Sequence, residues 1–306
     1  MTARIALVSA RAARGLDEDM PPLRAAFANA GVDTEIADWD DAAIAWECFD
    51  LALLRSTWDY AERLGEFLAW VERTASRTLL LNPPAVVRWN SDKHYLGELA
   101  RAGVPIVPST FAEPGANARA VLGEFLAAER CAEFVVKPSV GAGSRDARRH
   151  TRSNAREAEE HIAGLLEARR SVLLQPYLER VDREGETALI FIGGPLSHAI
   201  RKGALLPAGA PATAGLFAPE QISPRVPEAD EIALAERALG ALPFGGLLYA
   251  RFDLIRDDRG GPRLLEVELT EPSLFFTYAV NSAERFARAA LARLPGAPAR
   301  QGSANM

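Results

Sequence analysis

An alternation of short apolar runs with one helical segment, at the start of the chain, most constrains the fold. Residues 5–9 have the pattern of a buried strand, and residues 21–29 form a helical pattern rich in Leu, Ala and Phe that ends at Gly31. Two further strand patterns, VDTEIADW and FDLALLRST, follow on either side of a short acidic segment that we predict to be helical. Strand, helix and strand in succession predict a parallel α/β sheet, so we assign residues 1–88 to an N-terminal α/β domain.

From Trp89 onward the pattern is typical of an α+β fold. Asn90, Ser91 and Asp92 are suitable caps for a helix over residues 93–102. The segments FVVKPSV and SVLLQPYL are strand patterns that flank a polar loop and a helix, NAREAEEHIAGLLEA. We assign residues 89–174 to this second lobe.

Two hairpins dominate the last part of the chain. GETALIFIG and PLSHAIRK predict one hairpin with a turn at Gly193-Gly194, and YARFDLIR and RLLEVEL predict the other. Residues 203–227 have no periodicity, which predicts a loop or lid between the two. A helix, ADEIALAERALGAL, precedes the second hairpin, and a last helix covers residues 282–294. We assign residues 175–295 to a third lobe and residues 296–306 to a disordered tail.

Length and charge argue against several classes of protein. The 306 residues carry a net charge of −6 at pH 7, so the basic surface typical of nucleic-acid binding is missing. No run approaches the ~18 apolar residues that cross a membrane. Two cysteines, Cys48 and Cys131, are too few for a disulfide framework and favour a reducing cytoplasm. We therefore expect a cytoplasmic protein with no nucleic-acid or membrane partner.

Three carboxylates of the second hairpin form a candidate metal site. Folding YARFDLIR onto RLLEVEL places Asp253 opposite Glu266, and strand alternation puts Glu266 and Glu268 on one face, as it does Arg251 and Asp253. Carboxylates so close together require a cation, and oxygen ligands alone favour Mg²⁺ or Mn²⁺. Magnesium with few protein ligands implies a bound nucleotide. The alternative is a solvated strand face with alternating charges.

The segment FVVKPSVGAGSRDARR is a candidate phosphate site. Lys137 lies in an apolar strand and requires an anionic partner, and the backbone N–H groups around Gly141 and Gly143 are suited to cradle phosphate. The segment matches neither GxxxxGK[ST] nor GxGxxG. A flexible hairpin with an edge lysine is the alternative.

Two more groups of polar residues follow strand patterns. Arg201 and Lys202, on the same hairpin as Glu186, are candidates to meet phosphate or a substrate carboxylate, or are surface charges. In RSTWDY, Arg55 follows a strand of the first domain, where ligands bind in open α/β sheets. It is a candidate clamp for a substrate carboxylate, with Ser56 or Thr57 as hydrogen-bonding partners. The alternative is a strand end covered by Trp58.

The order of these motifs resembles the ATP-grasp superfamily over about residues 1–294. Lys93, then VVKPSVGAGS, QPYL, GE, RFDL and EVE appear in that order. The resemblance implies a small α/β first domain that contributes to substrate binding, followed by two α+β lobes that grip ATP. Arg251 resembles the arginine that steadies the transferring phosphate, and Asp253 and Glu266 match the metal ligands. Glu268 stands where many members have Asn, which puts the ion geometry in doubt.

The resemblance also assigns the nucleotide contacts. It implies that two lysines contact phosphate, that a Gly-rich flap covers it, that a hinge reads adenine and that an acidic residue contacts ribose. These residues are Lys93 and Lys137; Ser139, Gly141, Ala142, Gly143 and Ser144; Gln175, Pro176, Tyr177 and Leu178; Glu179 or Asp182, with Glu186 nearby.

The implied chemistry is phosphorylation of a carboxylate by ATP, followed by displacement of phosphate by a nucleophile. RSTWDY, SHAIRKGALLP and ELTEPSLFF look like the bacterial branch that contains the D-cycloserine-forming cyclo-ligase, which is similar to glutathione synthetases. That branch implies a small amino-acid substrate, O-ureido-D-serine closed to D-cycloserine, as part of antibiotic biosynthesis. An intermolecular amino-acid or peptide ligase, a small-molecule kinase and a non-catalytic ATP-binding regulatory module are the alternatives. A homo-oligomer is compatible with all of these functions.

Overall fold

Three β-sheets organise a computed structural model of the chain, which describes residues 3–206, 216 and 220–295. The first sheet is parallel with strand order β2-β1-β3-β4, as the alternating pattern predicted. Its central strands are buried on both faces, which explains their nearly continuous apolar runs. Its elements are β1 (Arg4–Ser9), α1 (Met20–Asn29), β2 (Asp33–Asp38), β3 (Leu51–Ser56), α2 (Leu64–Ala75) and β4 (Leu79–Leu81).

The second sheet is antiparallel with strand order β5-β8-β6-β7, and two short helices connect it to the first sheet. Two longer helices pack on one of its faces through a core that includes Phe125, Phe134 and Ile162. Its elements and the preceding helices are α3 (Pro84–Asn90), α4 (Tyr95–Arg101), β5 (Thr110–Ala112), α5 (Ala118–Ala128), β6 (Glu133–Pro138), β7 (Arg148–Thr151), α6 (Ala155–Glu167) and β8 (Val172–Pro176).

The third sheet is antiparallel with strand order β11-β10-β9-β12-β13. Both predicted hairpins are present in it, and the first turns at Gly193 and Gly194, which have φ of 66° and 118°. Its elements are α7 (Val181–Glu184), β9 (Glu186–Ile192), β10 (Leu196–Lys202), β11 (Ile222–Arg225), α8 (Ala229–Gly240), β12 (Tyr249–Arg256), β13 (Pro262–Glu268) and α9 (Ser282–Leu291).

The first and third sheets share a hydrophobic core. Leu7 and Leu53 of the parallel sheet belong to the same buried cluster as Ile190 and Tyr249 of the third sheet and Phe286 of α9. The opposite face of the third sheet packs against α4 and α8. The loops that follow β1 and β3 are therefore held close to the second hairpin of the third sheet. In the part of the chain that the structure describes, no helix is long and apolar enough to span a membrane.

The structure corrects several predicted elements. The acidic segment before β3 forms only a 3₁₀ turn (Trp46–Cys48), and Asn90 ends α3 instead of capping the next helix, which begins at Tyr95. The polar loop after β6 contains β7, and β11 lies in the predicted loop over residues 203–227. Short elements with mixed polarity have weak periodicity, which is why the sequence pattern missed them. The rest of that loop and the predicted tail over residues 296–306 lie largely or wholly outside the described residues.

Candidate active site

A cavity of about 380 Å³ lies where the three sheets meet. Loops after β1 and β3 line it, as do β6, β8 and the segment after β6, whose Ala142 packs against the hydrophobic cluster of the parallel sheet. The third sheet forms its floor through β10, β12 and β13. Most of the predicted site residues line this cavity, namely Lys93, Lys137, Gly141, Ala142, Gly143, Ser144, Gln175, Pro176, Tyr177, Leu178, Glu186, Lys202, Arg251, Asp253, Glu266 and Glu268.

The hairpin of β12 and β13 brings the predicted carboxylates together in the expected register. Asp253 pairs with Glu266, and Arg251 pairs with Glu268. Asp253 is only 2% exposed, and Arg251 holds it with two contacts, Nε to Oδ1 at 2.9 Å and Nη2 to Oδ2 at 3.0 Å. Lys202 Nζ lies 2.6 Å from the same Oδ2. Burial alone would raise the pKa of Asp253, but Arg251 and Lys202 outweigh it and lower this pKa to about 2.

Glu266 and the segment after β6 share one lysine. Lys93 Nζ lies 2.9 Å from Glu266 Oε1 and donates to the carbonyl oxygen of Gly141 at 2.8 Å. Lys93 and Lys137 hold the pKa of Glu266 below its usual value, although burial opposes them. Within the described residues the side chain of Lys137 has no hydrogen bond or ion pair, and burial lowers the pKa of its ammonium group. An unpaired ammonium group facing a cavity is suited to bind an anion such as phosphate.

Glu268 is the least compensated of the three carboxylates of the hairpin. It contacts Arg251, whose guanidinium group is shared with Asp253. Burial raises the pKa of Glu268 to about 7; Arg251 opposes this shift, whereas Asp253 and Glu266 add to it. A cation bound beside these carboxylates would therefore stabilise the ionised form of Glu268 more than that of Asp253 or Glu266.

The donor set of the hairpin fits a hard divalent cation. Asp253 and Glu266 are carboxylates on paired positions of a cavity floor, and no sulfur or imidazole donor competes with them there. Over the described residues, no group of three His, Cys, Asp or Glu side chains converges as a ready-made metal site. Lysine and arginine instead neutralise the carboxylates in this structure. A bound cation would replace some of these contacts.

The segment after β8 forms the wall farthest from the parallel sheet. Gln175 is buried and donates to Ser109 Oγ at 2.9 Å, and Tyr177 lies under the guanidinium group of Arg149, 3.6 Å from ring centroid to Cζ. The predicted ribose contacts do not line the cavity. Glu179 is exposed, and Asp182 is engaged by Arg149 at 3.3 Å and by the hydroxyl of Tyr177. Ser139 is also outside the cavity lining, buried behind Lys93.

Lys202 and Arg201 lie on opposite faces of β10, so the prediction that both act in one site is wrong for Arg201. Lys202 bridges Asp253 and Glu186, with Nζ 2.8 Å from Glu186 Oε2. Arg201 donates instead to the backbone carbonyl oxygen atoms of residues 183 and 184, away from the cavity. Adjacent residues of a strand point to opposite faces, which accounts for the difference.

Arg55 is fully buried and does not line the cavity, and neither do Ser56 and Thr57. Its Nη2 lies 3.0 Å from Asp19 Oδ2, and its Nη1 donates to the carbonyl oxygen of Pro272 at 3.1 Å. In this structure Arg55 cannot contact a substrate carboxylate, so the predicted clamp is corrected to a buried ion pair. It joins the loop after β1 to the segment after β13.

Residues that the sequence pattern left unassigned line the end of the cavity nearest the parallel sheet. Among them are Asp17, Tyr60 and Glu271. Burial raises the pKa of Glu271 to about 8; Glu268 and Glu266 add to this shift, whereas Lys93 and a hydrogen bond with Tyr60 oppose it. Tyr60 is the last residue of RSTWDY, and Glu271 stands directly before Pro272 in ELTEPSLFF. The signal in the sequence that could have identified Glu271 is a carboxylate directly before a proline, just after the strand β13.

Comparisons with known proteins agree over nearly the whole chain. A family model described as the N-terminal domain of D-cycloserine synthetase DcsG matches residues 5–82. The cycloserine biosynthesis protein DcsG of Streptomyces lavendulae is 43% identical over 300 residues, which cover 95% of this chain and 98% of that protein. A crystal structure of D-cycloserine synthetase DcsG superposes with a TM-score of 0.90 at 42% identity, covering 96% of this chain and 100% of that one.

More distant structures share the fold alone. A RimK-domain ATP-grasp protein from Sphaerobacter thermophilus has a TM-score of 0.66 at 20% identity, covering 94% of this chain and 100% of that chain. D-alanine–D-alanine ligase from Bacillus anthracis has a TM-score of 0.67 at 15% identity, covering 95% of this chain and 96% of that chain. ATP-grasp ligases generally use ATP and Mg²⁺. Identity above 40% across nearly the full length, joined to this fold and to a cavity lined with lysines and carboxylates, shows that the chain belongs to the DcsG family of ATP-grasp ligases.

Proposed function

We propose that this chain phosphorylates the carboxylate of O-ureido-D-serine with ATP and closes the activated acid to D-cycloserine. The observation that carries the proposal is the arrangement of the cavity. One cavity is lined by the two lysines, by the glycine-containing segment after β6, by the β12–β13 carboxylates, and by Tyr60 and Glu271. The part of the cavity beside Tyr60 and Glu271 suits a small amino acid, and the relationship to DcsG supports this particular one.

The proposed reaction balances in three steps. A carboxylate oxygen of the substrate attacks the γ-phosphorus, the bond to the β-phosphate oxygen breaks, and ADP leaves. The nitrogen that is bound to oxygen in the ureido group then attacks the acyl carbon, loses its proton and expels phosphate, which closes the five-membered ring. Water finally hydrolyses the carbamoyl group from the ring nitrogen, which releases CO₂ and ammonia.

The residues of the chain contribute position and charge. In this proposal Lys93 and Lys137, which line the cavity, hold phosphate, and Arg251, fixed on Asp253, steadies the transferred phosphoryl group. The segment over residues 141–144 lines the same cavity, and its proposed role is to limit access of water, which would hydrolyse the acyl phosphate. Asp253, Glu266 and Glu268 would hold Mg²⁺, or Mn²⁺ in its place. The bound ion would supply positive charge beside the phosphates.

The experiment that tests the proposal measures ADP release with O-ureido-D-serine as the sole acid, alongside its L-enantiomer and pairs of amino acids. We expect release with the D-enantiomer alone, and D-cycloserine identified by mass spectrometry. If ADP is released only when two different amino acids are present, the proposal is wrong and the chain is an intermolecular ligase.

A variant tests the proposed metal site. Glu266→Gln keeps the shape but loses the charge, so turnover should fall at least about 100-fold and binding of Mg²⁺-ATP should weaken more than binding of free ATP. Glu284→Gln removes an exposed carboxylate of α9 and is the matched control. Normal ADP release by Glu266→Gln would show that this residue is not a metal ligand.

A further inference from the structure

Almost every buried carboxylate that lines the cavity already has a cationic partner. Lys202 holds Glu186 and Asp253, Lys93 holds Glu266, and Arg251 holds Glu268. At the end near the parallel sheet, Asp17 and Asp19 share Arg55, and Asp19 also accepts the backbone N–H groups of residues 274–276. Each of these carboxylates therefore already lies within ion-pair distance of a lysine or an arginine.

Glu271 differs from these carboxylates. In the part of the chain that the structure describes, no lysine, arginine or histidine nitrogen lies within ion-pair distance of it, and its hydrogen-bonding neighbour is the neutral phenol of Tyr60. It is nevertheless half-buried in the cavity wall. A carboxylate so placed is costly unless a ligand supplies the missing positive charge.

The backbone around Glu271 is fixed from the parallel sheet. Trp58 Nε1 donates to the carbonyl oxygen of Glu271 at 3.1 Å, and Arg55 donates to the next carbonyl oxygen, that of Pro272. Arg55 is itself held by Asp19. The RSTWDY segment therefore orders the Glu271 segment instead of contacting the ligand through Arg55. A rigid backbone at this point gives the carboxylate a defined direction.

The position of Glu271 suits one group of the proposed substrate. In an α-amino acid the ammonium group is one carbon away from the carboxylate, so its partner must lie next to the site of phosphoryl transfer. Glu271 follows β13 by three residues and interacts electrostatically with Glu268, Glu266 and Lys93. We propose that the Glu271 carboxylate binds the α-ammonium group of the substrate and thereby selects α-amino acids; this inference rests on the proposed function.

The test compares each acid with its deamino counterpart. For wild type, O-ureido-D-serine should have a far lower KM than 3-(ureidooxy)propanoate, which lacks only the amine. In Glu271→Gln, KM for the amino acid should rise about 10- to 100-fold, while KM for the deamino acid and for ATP stays unchanged. Glu271→Asp, which keeps the charge, should recover part of the loss. Glu284→Gln again serves as control.

The outcomes separate the two proposals. If wild type rejects O-ureido-D-serine but turns over another α-amino acid, the proposed substrate is wrong, and Glu271 is tested on that acid and its deamino form. Equal KM increases for both members of a pair, or an increase in KM for ATP, would assign Glu271 a structural or metal-binding role and overturn the inference. A panel without any α-amino-acid substrate would overturn both proposals.

Discussion

Replacing Lys202 by Met should strand a buried carboxylate and destabilise the protein strongly. Lys202 is 4% exposed and its Nζ lies 2.6 Å from Asp253 and 2.8 Å from Glu186. Asp253 keeps two contacts with Arg251 after the replacement, so Glu186 is the group left without a partner. Removing one partner of a buried ion pair costs about 3–5 kcal/mol. Because the entropy of unfolding is about 2.1 cal/mol/K per residue, 1 kcal/mol corresponds to roughly 1.6 °C for 306 residues, and we expect Tm to fall by about 5–8 °C.

The double variant Lys202→Met/Glu186→Gln identifies the cause. Because it removes the stranded charge together with its partner, it should recover most of the lost Tm in differential scanning calorimetry. Arg119→Met, which removes an exposed cation, is the control and should change stability by less than about 0.5 kcal/mol. If adding Glu186→Gln recovers nothing, the reasoning about a stranded carboxylate is refuted.

Three further changes test other parts of the fold by thermal denaturation. Gly185 has φ of 72°, and a Cβ there would lie 2.2 Å from the carbonyl oxygen of Lys202. Gly185→Ala should therefore lower the free energy of unfolding by at least about 2 kcal/mol. Gly240 has open space around the position of a Cβ, so the control Gly240→Ala should not destabilise the protein. Arg55→Met should cost about 3–5 kcal/mol because it removes the cation that Asp17 and Asp19 share, although Asp19 keeps three backbone N–H donors; a loss no larger than that of Arg119→Met would contradict the ion pair. Burial lowers the pKa of His161 to about 4, so the folded state binds fewer protons than the unfolded state between pH 4 and 6.5, and stability should fall by about 1–2 kcal/mol as pH drops through this window. His161→Gln should flatten this dependence of stability on pH. If the variant shows the same dependence as wild type, His161 is not its cause.

The sequence was sufficient for features that depend on local periodicity and turn chemistry. The β12–β13 register follows from strand alternation and a glycine-containing turn, so Asp253 opposite Glu266 was predictable. The same alternation separates Arg201 from Lys202, so the different surroundings of these two neighbours were also predictable. The parallel first sheet followed from its apolar runs.

Features that depend on long-range contacts were not available from the sequence. Arg55 is separated from Pro272 by 217 residues along the chain, and only the packing of the first sheet on the third brings them together. Its burial in an ion pair, and the ordering of the Glu271 segment by Trp58, are consequences of that packing. A charged residue after a strand has the same sequence pattern whether it faces the ligand or the protein interior.

The charge pattern of the cavity explains how one site can serve an empty and a loaded state. Without a ligand, buried carboxylates and buried cations compensate each other directly, which limits the cost of burying both. Under the proposed function, a nucleotide with divalent cations would add charges of both signs, so the lysines would turn to phosphate while the carboxylates would turn to metal. A nucleotide without metal adds only negative charge to carboxylates that have lost their partners, and its binding should therefore be much weaker. In this proposal the residues that would exchange partners are Lys93, Lys202 and Arg251 on one side and Glu186, Asp253, Glu266 and Glu268 on the other, whereas within the described residues Lys137 has no carboxylate partner to release.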